Sequence, residues 1–200
     1  MYKNYIFDFG KVIVEFEPQY MTKQYIKDEN EIKLAQDIIF DRVYWDRLDA
    51  GTISDSEVIE GIKSRLPESL HESAIKVYKN WYYNIPFIEG MPELIKAIKA
   101  KGGKLFLLSN ISVTFAENYT KVAEIAELFS LFDGLVFSAP IGMVKPTPQI
   151  FEHLLSKYKL DAKDCIFIDD NANNIMGAES VGIKGYLFDG DAKSLKSVLL

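Results

Sequence analysis

The chain has 200 residues, of which 48% are hydrophobic and 26% charged, a balance typical of a folded globular protein that excludes a disordered chain. Its formal net charge of −6 provides no global positive field, so we expect no nucleic-acid partner. The sequence has no apolar leader and no run of about 18 apolar residues, so we expect no secretion, no membrane span and a cytoplasmic location. The single cysteine, Cys165, lies in an apolar run and is predicted to be a buried thiol.

Five short apolar runs predict the strands of a parallel sheet. Their near-continuous hydrophobicity is typical of strands that are buried on both faces. The predicted strands are residues 4–8, 104–109, 134–138, 165–169 and 184–188. Helical patterns lie between them, including residues 91–101 before Gly102-Gly103 and a helix that begins at Thr147-Pro148. This alternation predicts an α/β fold, with an open parallel sheet, right-handed crossovers and helices on both faces.

The segment between the first two strands predicts a separate helical unit. Its amphipathic patterns predict four helices, at residues 19–28, 31–41, 55–65 and 69–83. A capping box, Ser54-Asp55-Ser56-Glu57, marks the start of the third helix. A parallel connection needs only a dozen or so residues. We therefore predict a small α-helical cap domain at residues 17–86, inserted into an α/β core domain of residues 1–16 and 87–200. Aromatic residues are expected to fill the core of the cap, namely Tyr44, Trp45, Trp81, Tyr82 and Tyr83.

Polar side chains follow the predicted strands at the edge where their carboxyl ends meet. These candidates are Asp8, Ser109, Asn110, Asp169 and Asp170, together with Lys145 in a loop before Pro146. Ligands of open α/β sheets bind beyond this edge. Carboxylates that end apolar strands are costly to bury unless a cation or a reaction needs them together. Each residue alone has an ordinary alternative, as a helix cap, a turn or a solvated loop, but together they suit a metal-assisted phosphoryl-transfer site.

Four segments around these residues resemble the motifs of the haloacid dehalogenase superfamily of aspartate-nucleophile phosphohydrolases. The segments are 5–14 (YIFDFGKVIV), 107–110 (LLSN), 142–146 (GMVKP) and 167–175 (FIDDNANNI). The resemblance covers essentially the whole chain, and the helical insert is similar to the cap of the first subclass. The Asp-x-Gly form of the first motif is similar to that of the bacterial α-glucose-1-phosphatase branch. The resemblance implies a Rossmann-like sheet and a phosphatase that acts on a small phosphorylated metabolite, such as a sugar phosphate.

The resemblance also implies a role for each residue that meets the phosphate. Asp8 is the expected nucleophile, which forms an aspartyl-phosphate that water then hydrolyses. Lys145 is expected to offset the charge of Asp8 and of the phosphoryl oxygens, while Ser109 and the backbone of Asn110 donate hydrogen bonds to those oxygens.

A magnesium ion is the cofactor that the resemblance implies. Mg²⁺ prefers oxygen ligands and keeps several waters. The expected ligands are Asp8, the backbone carbonyl of Gly10 and Asp170, whereas Asp169 is expected to hold a metal-bound water.

Gly10 departs from the family pattern, because most phosphatases of the superfamily carry an aspartate there that acts as general acid and base. Such help is typically worth about 10²–10⁴-fold. Its absence favours substrates with good leaving groups, such as anomeric sugar phosphates, or leaves proton transfer to Glu15, Glu17 or a cap residue. Arg47 and Asp49 are predicted in a cap turn that could face the site. Arg47 is a candidate substrate-binding residue, and an exposed ion pair is its ordinary alternative.

Two other functions remain open at this point. A 2-haloacid dehalogenase would use Asp8 to attack carbon without a metal, although the pair Asp169-Asp170 would repel a carboxylate substrate. A catalytically impaired protein would bind Mg²⁺ and phosphate esters without turnover. The sequence names neither the metabolite nor the oligomeric state.

Overall fold

The computed structural model describes residues 2–83 and 85–200, and a five-stranded parallel sheet forms its centre. Met1 and Asn84, which belong to the predicted core and cap segments, lie outside the described residues. The strands are β1 (Asn4–Phe7), β2 (Lys104–Ser109), β3 (Gly134–Phe137), β4 (Cys165–Asp169) and β5 (Lys184–Leu187). Their order across the sheet is β3-β2-β1-β4-β5. The predicted open parallel sheet is confirmed.

The register of the central strands aligns their carboxyl ends. Phe7 of β1 is paired with Leu107 of β2 on one side and with Ile168 of β4 on the other. The chain proceeds from β1 to β2 and β3 in one direction and then crosses to β4 on the far side of β1. This reversal of strand order is the switch point at which ligands of such sheets bind.

The prediction that all five strands are buried is wrong for the two edge strands, β3 and β5. In β5 both Lys184 and Leu187 are exposed, and in β3 only Val136 is buried, whereas β1 and β4 are buried throughout. An edge strand has a neighbouring strand on one side alone, so the covering helices leave more of it open to water.

In the described part of the chain, five α-helices lie between β1 and the return of the chain to the sheet, and we call this segment the helical insert. They are α1 (Pro18–Lys23), α2 (Glu29–Ile39), α3 (Arg42–Asp49), α4 (Asp55–Arg65) and α5 (His71–Asn80). The capping box of α4 is present, because the Ser54 hydroxyl accepts from the Glu57 N–H and a Glu57 carboxylate oxygen accepts from the Ser54 N–H. The predicted helix at 69–83 is instead a short 3-10 turn (Glu68–Leu70) followed by α5.

The sequence pattern predicts a cap turn around Arg47 and Asp49, and the structure corrects this to helix α3. Asp41 starts it by accepting a hydrogen bond from the N–H of Val43. Leu48 is its one buried residue, so the helix lacks the apolar stripe from which helices are recognised in sequences. Arg47 and Asp49 therefore lie in the last turn of a helix.

Seven helices flank the sheet after the insert. They are α6 (Met91–Ala100), α7 (Val113–Asn118), α8 (Ala123–Phe129), α9 (Ser138–Ile141), α10 (Pro148–Tyr158), α11 (Ala172–Ser180) and α12 (Ala192–Leu199). Alternate strand residues point to opposite faces. Phe7 belongs to a hydrophobic cluster that includes residues of α6, α7, α8 and α12, whereas Ile6 belongs to a second cluster that includes residues of α10 and α11. Helices on both faces of the sheet are confirmed.

The helical insert has a hydrophobic cluster of its own, which extends from Ile26 to Tyr78 and includes Ile39, Val58 and Ile62. This separate cluster supports the predicted cap, whose boundaries stay a prediction. Within the described residues, no helix is long and apolar enough to cross a membrane.

Two of the aromatic residues assigned to the cap interior pack elsewhere. Trp81 and Tyr82 are buried against Phe115 of α7, with ring centroids 5.6 and 5.3 Å away, and belong to the same cluster as the sheet residues. They follow α5, where the chain returns to the sheet, and so contact the core. Tyr83 is exposed.

Candidate active site

Three strands place the predicted site residues at one edge of the sheet. Asp8 follows β1 and donates its backbone N–H to the Ile168 carbonyl at 3.0 Å, which holds it beside the end of β4. Asp169 ends β4, and Ser109 ends β2 as a buried residue with 2% exposure. The chain positions therefore converge as the parallel register predicts.

The Lys145 loop is held by the residue after β2. The side chain of Asn110 donates to the Lys145 carbonyl at 2.9 Å and accepts from the Lys145 N–H at 2.8 Å. On the other side, a Cβ atom on Gly177 of α11 would lie 2.3 Å from the Pro146 carbonyl oxygen, so this close approach requires glycine. The Asn110 side chain thus has a positioning role that sequence reasoning did not assign.

Lys145 forms a buried bridge between two carboxylates. Its Nζ lies 2.9 Å from Oδ1 of Asp8 and 2.7 Å from Oδ2 of Asp169, and its side chain is 1% exposed. Burial by itself would lower the pKa of Lys145, but the charges of Asp8 and Asp169 outweigh it and raise the pKa above its usual value. The ammonium group therefore stays charged inside the site.

Asp169 is surrounded by donors of the protein. In addition to Lys145, its oxygens accept from the Asn171 N–H at 2.8 Å and from the Asn174 side chain at 3.0 Å. The Asp169 carboxylate is fully buried. Because both of its oxygens are engaged, this residue orients Lys145.

Asp8 is less completely satisfied. Its side chain is 12% exposed, and among the described residues no donor forms a well-directed hydrogen bond to Oδ1, although Lys145 lies within ion-pair distance of this oxygen. Burial raises the pKa of Asp8 to about 6, with a contribution from the charge of Asp169, and Lys145 opposes this shift. Oδ1 of Asp8 is buried and is held by the charge of Lys145 without a well-directed hydrogen bond.

The acidic residues of the site fit a divalent cation. Carboxylate oxygens of Asp8, Asp169 and Asp170 lie within 4.8 Å of one another. Partial burial raises the pKa of Asp170, and the negative charge of Asp169 raises this pKa further. The protein therefore does not fully compensate the negative charge of these carboxylates. Among the described residues no backbone N–H donates to the Gly10 carbonyl, which leaves that oxygen available. Since Asp169 is engaged, the freer ligand oxygens belong to Asp8, Asp170 and Gly10, which suits a hard cation such as Mg²⁺.

Arg47 is not brought together with these residues. Its side chain is exposed, and its Nη2 donates to the Thr52 carbonyl of the following turn at 3.4 Å. The role of Arg47 as a substrate-binding residue stays a prediction, and its contacts within the described residues are local to the helical insert.

Asp49, the last residue of α3, lies against the core, and sequence reasoning gave it no role. It is partly buried, and its carbonyl accepts from the Ser138 hydroxyl of the core at 2.6 Å. Burial raises the pKa of Asp49 to about 7, and the negative charge of Asp8 adds to the shift, which places the two carboxylates in one electrostatic environment. Its local sequence pattern carries no signal for this, because the position depends on how the insert meets the core.

A cavity of about 240 Å³ lies between the helical insert and the core, and none of the predicted site residues lines it. Trp45, Trp81 and Tyr82 contribute aromatic surface to its wall, and Asp55 and Asn118 contribute polar groups. A larger cavity of about 580 Å³ lies at the opposite edge of the sheet, among the first residues of the strands, and contains none of the predicted site residues.

Comparison with known proteins identifies relatives along nearly the whole chain. A sequence model of the family described as haloacid dehalogenase-like hydrolase matches residues 2–182. A sesquiterpene phosphatase of Aspergillus oryzae is 27% identical over 92% of this chain and 88% of its own length. A D-ribitol-5-phosphate phosphatase of Bacteroides thetaiotaomicron is 24% identical over 93% of this chain and 91% of its own.

A solved structure has the same fold. It is a HAD family enzyme from B. thetaiotaomicron in complex with magnesium and inorganic phosphate. Its TM-score is 0.67 at 23% identity, and the match covers 98% of this chain and 99% of that one.

Proposed function

The chain belongs to the haloacid dehalogenase-like hydrolase family and is an enzyme of its phosphatase type, and we propose that it is a Mg²⁺-dependent phosphatase of a small phosphorylated metabolite. The observation that carries the proposal is the buried bridge of Lys145 between Asp8 and Asp169, beside the further carboxylate of Asp170. A nucleophilic carboxylate, a fixed ammonium group and a cation-binding set of oxygens serve phosphoryl transfer together.

Asp8 is the proposed nucleophile. Its carboxylate oxygen attacks phosphorus, the bond from phosphorus to the leaving oxygen breaks, and water later hydrolyses the aspartyl-phosphate. Lys145 offsets the charge of Asp8 and of the phosphoryl oxygens, and the burial of the ammonium group strengthens this effect. Ser109, which ends the neighbouring strand, and the backbone of Asn110 donate to the phosphoryl oxygens.

Asp8, Asp170 and the carbonyl of Gly10 would hold Mg²⁺, with Asp169 as their support. The ion, when bound, offsets the repulsion between a phosphate dianion and a carboxylate nucleophile. Without such compensation the charges of three carboxylates would face the substrate, opposed by the buried ammonium group of Lys145 and, at Asp170, by the charge of Lys11.

A sugar phosphate, such as glucose 1-phosphate, is the proposed substrate type. Gly10 leaves no acid on the loop of the nucleophile, which favours a leaving group that departs easily, such as the anomeric oxygen of a sugar. The relatives named after ribitol 5-phosphate and a sesquiterpene show that the leaving group varies among similar chains. A cytoplasmic location and the absence of a nucleic-acid partner remain predictions.

Phosphate release tests the proposal. The wild type and Asp8→Asn are assayed with Mg²⁺ against a panel of anomeric and terminal sugar phosphates, and an exposed aspartate of the insert, Asp37→Asn, serves as matched control. We expect release by the wild type and by the control, and loss in Asp8→Asn. Activity that survives Asp8→Asn would contradict the mechanism.

The same assay separates the alternatives. Halide release from 2-haloacids without metal would favour a dehalogenase. Binding of Mg²⁺ and phosphate esters with no turnover, even of an aryl phosphate, would favour an impaired binding protein.

A further inference from the structure

Gly10 lies two residues after the nucleophile Asp8, at a position that could carry an acid. No steric constraint requires glycine there. A Cβ atom at Gly10 would lie 3.7 Å from Cβ of Phe16, an ordinary van der Waals contact, and the backbone there does not have a positive φ. The fold would therefore accept a side chain at Gly10. A proton donor for the leaving oxygen must come from another part of the chain if the enzyme uses one.

The carboxylates of the first loop do not fill this role. Glu15 and Glu17 are both exposed, and neither forms a contact with Asp8 or Lys145 within the described residues. Asp49 differs from them because it is partly buried and its carboxylate experiences the charges of both Asp8 and Lys145.

Close contacts hold the end of α3 against the core. The Ser138 hydroxyl donates to the Asp49 carbonyl at 2.6 Å and accepts from the Ile111 N–H at 2.8 Å, which is two residues after Ser109. A Cβ atom on Gly51 would lie 2.7 Å from the Ala139 carbonyl oxygen, so the turn after α3 lies directly against α9. Asp49 is thus placed next to the loop that follows β2.

The charges around Asp49 favour a carboxyl group that exchanges protons near neutral pH. Burial is the main cause of its raised pKa, and Asp8, beyond the end of β1, adds to it. Arg42 and Asp46 on its own helix act in opposite directions, and Lys145 of the core lowers the pKa slightly. A general acid works best when its pKa lies near the working pH.

We propose that Asp49 of the helical insert is the proton donor and acceptor that the core lacks at Gly10. The proposal rests on the phosphatase function above and assigns one further residue to that reaction. The proposed proton donor therefore lies on α3 of the insert and not on the loop that carries Asp8. The contact between α3 and α9 places it there.

The two steps balance in atoms and charge. In the first, an Asp8 oxygen bonds to phosphorus, the bond from phosphorus to the leaving oxygen breaks, and that oxygen takes the proton of Asp49 and departs as an alcohol. In the second, water attacks the aspartyl-phosphate and gives one proton to the Asp49 carboxylate. Inorganic phosphate leaves, Asp8 is again a carboxylate, and Asp49 is again protonated.

An aryloxide can depart without taking up a proton, whereas an alkoxide needs one. The dependence of the reaction rate on the leaving group therefore tests this role. In Asp49→Asn we expect kcat/KM for an alkyl phosphate, such as glycerol phosphate, to fall about 100-fold or more. With p-nitrophenyl phosphate we expect less than about a tenfold loss in kcat/KM. The second step lacks its base, so this substrate should release a burst of nitrophenol equal to the enzyme present.

Matched variants separate proton transfer from a structural role. Asp37→Asn, an exposed aspartate of the insert that is paired with Lys33, should behave as the wild type. Gly10→Asp added to Asp49→Asn should restore turnover of the alkyl phosphate, because it supplies a carboxyl group from the core. If Asp49→Asn does not fold, as judged by circular dichroism, Asp49→Ser is compared in the same assays.

Two results would overturn the proposal. Equal losses for the alkyl and aryl phosphates without a burst would indicate a structural effect, and unchanged kinetics would remove Asp49 from the reaction while the phosphatase function stands. If the wild type releases no phosphate from either substrate, the phosphatase function fails and this role fails with it.

Discussion

Lys145 contacts Asp169 through a 2.7 Å ion pair in which both side chains are almost completely inaccessible to solvent. The same ammonium group lies 2.9 Å from Asp8, so a single buried cation is shared by two carboxylates. Removing one partner of a buried ion pair leaves an uncompensated buried charge. This lowers the free energy of unfolding more than the loss of a partner from an exposed pair does.

Replacement of this lysine is therefore expected to affect both stability and activity. In Lys145→Met we expect the free energy of unfolding at pH 7 to fall by about 3–5 kcal/mol, with loss of phosphatase activity. Urea denaturation measures the first effect. Lys3→Met is the control, because its ion pair with Asp164 is exposed and should contribute at most about 1 kcal/mol. Similar losses in both variants would show that the Lys145 bridge contributes no more than a surface pair.

Removal of a proposed ligand should weaken metal binding without unfolding the protein. In Asp170→Asn we expect Mg²⁺ affinity, measured by isothermal titration calorimetry, to fall at least about tenfold, because one anionic oxygen is lost from the set. Asp37→Asn, which lies on the surface of the insert, should bind as the wild type does. Unchanged affinity in Asp170→Asn would exclude this residue as a ligand.

The raised pKa of Asp49 predicts a pH dependence of stability in the metal-free protein. An unfolded aspartate ionises near its usual pKa of 3.8, whereas in the fold Asp49 ionises at about 7. The fold therefore loses stability as the pH rises between these values, and the loss is complete above about 7. We expect Asp49→Asn to have a free energy of unfolding about 1–3 kcal/mol above that of the wild type at pH 8, and an equal value at pH 4.

Chemical denaturation in the presence of EDTA at the two pH values measures this difference. Asp37→Asn, which removes an exposed carboxylate paired with Lys33 on another helix, should give no stabilisation at pH 8. A stabilisation by Asp49→Asn that is the same at pH 4 and pH 8 would contradict the raised pKa.

The contact between the insert and the core predicts that replacing two glycines by alanine lowers the stability by different amounts. Both Gly51 and Gly102 have positive φ values, of 68° and 85°, so alanine is strained at either position. A Cβ atom at Gly102 would meet no atom within 4 Å, whereas at Gly51 it would meet the Ala139 carbonyl oxygen. We expect Gly102→Ala to cost about 1 kcal/mol of stability and Gly51→Ala about 1–3 kcal/mol more.

Activity distinguishes the two variants further. Gly51→Ala should lower kcat because it displaces the end of α3, which carries Asp49, and Gly102→Ala should leave kcat unchanged. Equal effects of the two variants on stability and on kcat would indicate that the contact with Ala139 has no part in placing the site.

The central strands were predictable because they are buried on both faces, and their apolar runs end within about one residue of the observed strands. The edge strands β3 and β5 were found as well, but their exposure was not, since a run of apolar letters does not show which strand lies at the edge. Helix α3 was missed for a related reason. It buries only Leu48 and is stabilised by its cap and by its contact with the core, neither of which gives it an apolar period.

The sequence by itself determined which polar groups stand at the edge where the carboxyl ends of the strands meet. Parallel strands bring their carboxyl ends to one side, so Asp8, Ser109 and Asp169 had to meet once the strands were recognised. Only the tertiary structure decided where Arg47 and Asp49 lie, although they are two residues apart in the same helix. Arg47 is exposed and Asp49 is partly buried near Asp8, because the contacts of Ser138 and Ala139 set the orientation of α3 against the core. Burial and electrostatic environment depend on such contacts between distant segments, which no local pattern contains.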